Sequence, residues 1–122
     1  MCSKSVHNLT IKLRGRWPAA FSDPPQPLQI GIGALIAEAL YKREWELMGY
    51  SLFTHTRRGQ TLSDALHIWT RSPLYLKACT RGAARVNLNG ESVGEVSEAQ
   101  AVFAAMELQR QANIRRAALK LV

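Results

Sequence analysis

Little in this chain invites covalent or metal chemistry. There are two cysteines, Cys2 and Cys79, and three scattered histidines, His7, His55 and His67. Two cysteines give no disulfide framework and fit a reducing cytoplasm. No His, Cys or acidic set has metal-ligand spacing, so neither a metal nor a cofactor is expected. Long apolar runs are missing too. The longest, Ala34–Leu40, is interrupted by Glu38 and is far too short to span a bilayer. No long apolar segment near the N-terminus suggests a secretory signal. A basic amphipathic helix with exposed aromatics is also lacking, so a membrane partner is not expected.

Acidic residues are scarce. Nine carboxylates face sixteen Lys and Arg, for a formal charge of +7, which favours anionic partners. The imbalance peaks between Asp64 and Glu91, where no acidic residue occurs at all. What that stretch does contain is organised. Leu62, Ala65, Leu66 and Trp69 fall at i, i+3, i+4 and i+7, one face of a helix, with Thr61 and Asp64 resembling a capping box. Ser72-Pro73 then ends one helix and starts the next, because proline bars the helical region before it yet suits a first helical position. A second helix is expected over 73–81, with Ser72 as cap and Gly82 at its C-terminal end. A helix start carries free N–H groups and partial positive charge, and here Arg71, Lys77, Arg81 and Arg85 surround it. An open helix start among uncompensated cations suits phosphate; it equally describes a helical corner with a solvated basic edge.

Arg85 to Leu88 reads as a strand, and Asn89-Gly90 as a two-residue hairpin turn. The return strand is 91–96, with Gly94 at a possible bulge. Arg85 can then point back over the helix start. Tyr75 can present its ring nearby, either to stack on an unpaired base or as a half-buried packing residue with a wet hydroxyl.

The chain is long enough for one modest core, and one domain is expected over 1–122, with its core over about 17–108 and fraying at 1–5 and at the last few residues. Val6, Leu9 and Leu13 fit a helix face, while Leu9, Ile11 and Leu13 fit a strand. Phe21–Pro27 is a proline-rich loop, and Leu28, Ile30 and Ile32 alternate as a short extended piece on the core. A helix is expected from Gly33 to Leu47, with Ile36, Leu40 and Leu47 on one face and a Glu38–Lys42 pair. Tyr50–Gln60 reads as an excursion loop or a short strand, and its Arg57-Arg58 pair extends the basic surface or does nothing specific. Ser97 and Gln100 form a capping box for a last helix starting at Glu98, with Val102, Phe103 and Met106 as its docking face. Its end, with Arg110, Arg115, Arg116 and Lys120, reads as a solvated helix terminus.

An enzyme is not expected. Asp64 and His67 lie at i, i+3, but no nucleophile, metal set or Gly-rich phosphate loop accompanies them, and a helix-surface ion pair suffices. A DNA-binding regulator using helix 73–81 is the alternative; its Leu74, Tyr75, Lys77 and Ala78 are a poor set for reading base edges.

The assembled residues resemble the ProQ/FinO family of bacterial RNA chaperones across Trp17–Leu108. Trp17-Pro18-Ala19-Ala20-Phe21 is similar to the family's aromatic-Pro-x-x-Phe entry, and Pro27-Leu28-Gln29-Ile30-Gly31-Ile32 to its Pro-Leu-x-Ile-Gly-Ile. Leu62, Ala65-Leu66, Trp69-Thr70, Ser72 and Tyr75-Leu76 keep the family's spacing, and Gly82-Ala83, Arg85-Val86, Leu88, Gly90, Gly94 and Val96 close the pattern. The resemblance implies a mainly α domain with a small β-hairpin, an α+β fold. It implies binding of structured RNA, a stem-loop with a single-stranded 3′ tail, in regulation by small or antisense RNA. A monomeric, cytoplasmic protein is expected. Tyr75 and Arg85 would sit in a pocket for the 3′ end, and Thr70, Arg71 and Ser72 would form the helix-start contact. Gln29 and His67 complete the candidate set with Lys77 and Arg81. Gln29 stands where members often carry a basic residue, and Ser63, His67 and Leu74 where they often carry arginine. The usual basic face is thinned accordingly. The span from Ile32 to Leu62 is longer than usual, which makes Tyr50–Gln60 look like an insertion.

Overall fold

A computed structural model describes residues 4–120. The chain is mostly helical, with one small antiparallel sheet: α1 (Lys4–Arg16), α2 (Ile32–Leu40), α3 (Lys42–Met48), α4 (Leu52–His55), α5 (Arg57–Thr70), α6 (Pro73–Ala78), β1 (Ala84–Val86), β2 (Ser92–Glu95) and α7 (Glu98–Lys120). Of the ends read as frayed, residues 1–3 and 121–122 lie outside the described residues, as does Cys2, while Lys4 and Ser5 are already helical. The helical alternative holds at the N-terminus: Val6, Leu9 and Leu13 are buried and Ile11 is exposed. This face packs on α5, whose Leu62 and Ala65 belong to the same core as Ile36, Leu52, Tyr75, Leu76, Val86 and Val96.

The middle of the chain departs most from its sequence reading. The helix expected over 33–47 is two helices, broken at Tyr41, which leaves helical geometry at φ −128° and ψ 48°. The break swings Trp45 into edge-on contact with Tyr50 and Phe53, at ring distances of 5.2 and 6.4 Å. It leaves Leu47 77% exposed rather than on the Ile36 face, and Glu38 and Lys42 form no ion pair. Tyr50–Gln60 is neither loop nor strand. A 3-10 turn (Gly49–Ser51) leads into α4, and α5 already begins at Arg57. The cap of α5 is therefore Thr56, whose hydroxyl accepts the Gly59 N–H at 3.0 Å. Thr61 lies inside the helix and donates to the Arg57 carbonyl. Asp64 accepts from Gln60 rather than pairing with His67.

The Ser72-Pro73 corner forms as expected, but α6 ends at Ala78, with Cys79 rather than Gly82 at its cap. Gly82, at φ +82°, instead turns the chain into β1. Pro27 and Leu28 lie alongside β1: the Val86 N–H donates to the Pro27 carbonyl and the Gln29 N–H to the Val86 carbonyl. The alternation of Leu28, Ile30 and Ile32 does not extend to Ile30, which is exposed because Gly31 at φ +84° starts α2 immediately afterwards. The hairpin is not a two-residue turn. Asn87 accepts the Gly90 N–H on its carbonyl and the Asn89 and Glu91 N–H groups on its side chain, so only Gly90 takes positive φ. The bulge falls at the Arg85–Val86 step, opposite Val93.

The Ser97–Gln100 capping box is present, with Ser97 N–H to Gln100 Oε1 at 2.9 Å and Gln100 N–H to Ser97 Oγ at 3.2 Å. The docking face of α7 is the reverse of the one expected. Ala104 and Glu107 are buried against α6, while Val102, Phe103 and Met106 are exposed. Ala101 and Leu108 pack partly buried on the same side, so the docking face holds one large apolar residue and carries little apolar periodicity to read.

Gly59 supplies the tightest close approach. A Cβ there would stand 2.0 Å from the Leu52 carbonyl oxygen, which backbone cannot yield cheaply. Gly59→Ala should destabilise the protein by at least about 1–3 kcal/mol, visible as a clear fall in Tm by circular dichroism. Gly15→Ala, in helix α1 with nothing within 4 Å, should hold or raise Tm. Equal Tm for the two variants would contradict this packing.

Candidate functional site

A cavity of about 400 Å3 opens between α6, β1 and α7, lined by Thr70, Arg71, Tyr75, Arg85, Gln100 and Phe103 among others. Each element brings its residue there for a local reason. The Ser72-Pro73 corner turns α6 so that Tyr75 points inward from its first turn, where it is buried. Arg85 stands in β1 on the same side, and the capping box fixes Gln100 at the start of α7.

Arg85 is the hub of the cavity. One Nη donates to the Leu28 carbonyl at 2.7 Å and the other to Gln100 Oε1 at 3.0 Å, while the buried Nε–H has no partner. Both partners are neutral, and no carboxylate pairs with Arg85 among the described residues. The Tyr75 hydroxyl accepts the Leu28 N–H at 3.0 Å. Burial raises the Tyr75 pKa, against the lowering effects of the Leu28 hydrogen bond and Arg85. Burial likewise raises the thiol pKa of Cys79, against the lowering effects of Arg85 and Tyr75. Tyrosine and thiol are thus neutral at pH 7, and the guanidinium is the charge at this end of the cavity. A partly buried cation whose partners are all neutral is suited to an anion.

Arg71 is arranged differently, and the acid-free reading of this corner is corrected. Glu107 reaches it from α7, 3.8 Å from its guanidinium, while Arg110 binds the same carboxylate at 2.6 Å. Gln111 Nε2 donates to the Arg71 carbonyl at 2.8 Å. The Arg71 guanidinium also lies 5.2 Å from the Phe103 ring centroid.

The helix start offers fewer donors than the sequence suggested. Ser72 Oγ accepts the Tyr75 N–H at 3.4 Å and donates to the Trp69 carbonyl, and Pro73 has no N–H, so Leu74 carries the amide left without a partner. Thr70 spends its hydroxyl hydrogen on the Leu66 carbonyl. Ser72 faces a separate opening, beside Arg14, Trp69 and Leu74. There the Arg14 guanidinium sits 5.9 Å from the Trp69 ring, whose buried indole N–H is unpartnered.

The candidates thus fall into groups. Thr70, Arg71, Tyr75 and Arg85 share the cavity between α6, β1 and α7. Lys77 and Arg81 line a groove between α6 and α7, and Gln29 meets Arg85 at a further opening beside β2. His67 is exposed on α5 and lines none of these hollows. Gln100 and Phe103 escaped the sequence reading. The capping box points to Gln100 only as a cap, and the apolar pattern of α7 points to Phe103 only as part of a docking face.

The ProQ/FINO family model matches residues 3–120, nearly the whole chain. The RNA chaperone ProQ of Haemophilus ducreyi is 34% identical over 113 residues, covering 87% of this chain and 56% of the relative. The chain therefore spans little more than half of that protein's length. Two solved structures share the fold at 24% identity: a ProQ homolog from Legionella pneumophila, at TM-score 0.66 over 92% of this chain and 86% of the other, and a FinO-like RNA chaperone from Neisseria meningitidis, at TM-score 0.64 over 90% and 88%.

Glu107 sets a pH dependence. Hydrogen bonding from Arg110, opposed by burial and reinforced by Gln111 and the nearby charges, holds its carboxyl well below its usual 4.5, at about 2. An acid depressed in the folded state stabilises fully above its unfolded pKa and loses that contribution as pH falls through the folded value. Glu107 should therefore stabilise the protein above about pH 4.5 and lose its contribution by about pH 2. Glu107→Gln should lower Tm at pH 7 and narrow the gap to wild type across this window. A constant gap from pH 7 to 2 would contradict the assignment.

Proposed function

The chain belongs to the ProQ/FINO family, and from that premise we propose that it is a non-enzymatic RNA chaperone binding stem-loops that end in a single-stranded 3′ tail. It acts in regulation by small or antisense RNA, as a monomer in the cytoplasm. One observation carries the site assignment: Arg85 holds a partly buried guanidinium in a cavity beside Tyr75, with one neutral acceptor on each Nη and a further hydrogen left on each. That donor set suits a phosphate of the unpaired tail. Thr70, Arg71 and Ser72 lie where the stem approaches, with the Leu74 amide and Arg14 as added donors on the far side of the corner. Lys77, Arg81, Gln29 and His67 lie outside the cavity, and the cations among them supply salt-sensitive, sequence-independent attraction. Helix geometry disfavours the DNA-regulator alternative. With α6 only six residues long and Tyr75 and Leu76 buried, too little of it faces outward to read a groove.

Gel shifts of one RNA hairpin with and without a 3′ uridine tail test this reading. The tailed form should bind more tightly. Arg85→Ala should weaken the tailed form by about tenfold or more, the usual worth of a charge-assisted contact. Circular dichroism should show the helices retained, and equal binding of both hairpins by wild type would sink the assignment.

A further inference from the structure

Phe103 is out of place as a packing residue. It is 54% exposed on α7, yet it lines the same cavity as Tyr75 and Arg85. The Arg71 guanidinium lies 5.2 Å from its ring centroid. Arg71 is itself held at both ends, by Gln111 on its carbonyl and by Glu107 beside its guanidinium. Those two residues sit one and two turns beyond Phe103 on α7. Ring and guanidinium thus form one preorganised wall, supported from the same helix that presents the ring.

Resting on the RNA-binding reading above, we propose that the Phe103–Arg71 wall is a base-stacking subsite that takes an unpaired base of the tail. The wall is flat and apolar with a cation against it, and the Arg85 guanidinium lines the same cavity. A nucleotide presents that pair of chemistries together, a flat ring next to an anion. Stacking needs only a π-face, so the subsite tolerates any base but requires it to be unpaired. Met106 makes the contrast: it is 66% exposed on the same helix but does not line the cavity.

The test uses the full chain and an RNA hairpin whose 3′ tail carries the fluorescent base 2-aminopurine, alongside the same hairpin without its tail. Phe103→Ala and Phe103→Leu should each weaken tailed-hairpin binding by roughly five- to a hundredfold, leaving tail-less binding unchanged. Phe103→Trp should restore affinity, and Met106→Ala should match wild type. Bound 2-aminopurine should be quenched by wild type at one tail position, and that quenching should disappear with Phe103→Leu, which keeps the bulk but removes the ring. If wild type prefers the tailed hairpin while Phe103→Leu binds and quenches equally well, the stacking subsite is wrong and the RNA reading survives. If wild type shows no tail preference, the RNA reading fails and this subsite with it.

Discussion

The structure around the site depends on the guanidinium of Arg85. It joins three segments far apart in the chain: the Leu28 carbonyl from the stretch beside β1, the strand that carries Arg85, and Gln100 at the cap of α7. Tyr75 closes the arrangement by accepting the Leu28 N–H, which ties α6 to the same point. Hydrogen bonds to a charged group are stronger than neutral ones, so one side chain holds a small sheet and two helices around a hollow. Using neutral acceptors keeps the positive charge unneutralised. A carboxylate in place of Gln100 would brace the helix as well but would cancel the field that an anionic ligand requires.

Gln100 serves two ends at once. Its Oε1 accepts the Ser97 N–H that starts α7 and the Nη of Arg85. The capping box and the site therefore share an atom, and the direction in which α7 leaves the body is coupled to the cavity. That direction decides what α7 presents. Glu107 and Gln111 turn inward to hold Arg71, and Phe103 is left at the cavity. The two arginines beside the cavity are consequently unlike. Among the described residues Arg85 has no acidic partner, whereas Arg71 shares Glu107 with Arg110 and is partly countered.

What could be read from sequence was what local chemistry dictates. Ser72-Pro73 can hardly do anything but turn a corner, Ser97 and Gln100 cap reciprocally, and Gly90 must take positive φ. Tyr75 and Arg85 were placed together through those local signals and the family pattern. The illegible parts were set by tertiary contact. No glycine or proline marks Tyr41, where the helix breaks and Trp45 meets Tyr50 and Phe53. The helices through Tyr50–Gln60 hinge on Gly59 fitting against the Leu52 backbone, which a lone glycine in a polar stretch does not announce. Nor could the acid-free interval reveal that Glu107 returns to Arg71 in space.

In the proposed complex Arg85 meets a backbone phosphate of the unpaired tail. A double-mutant cycle isolates that contact, pairing the neutral Arg85→Gln with neutral methylphosphonate linkages placed one at a time along the tail. At one linkage, charge removal should weaken wild-type binding strongly and the Gln variant much less, leaving a clear coupling there and none elsewhere. Purely additive effects at every linkage would contradict the account, because Arg85 would then serve only as the brace between Leu28 and Gln100.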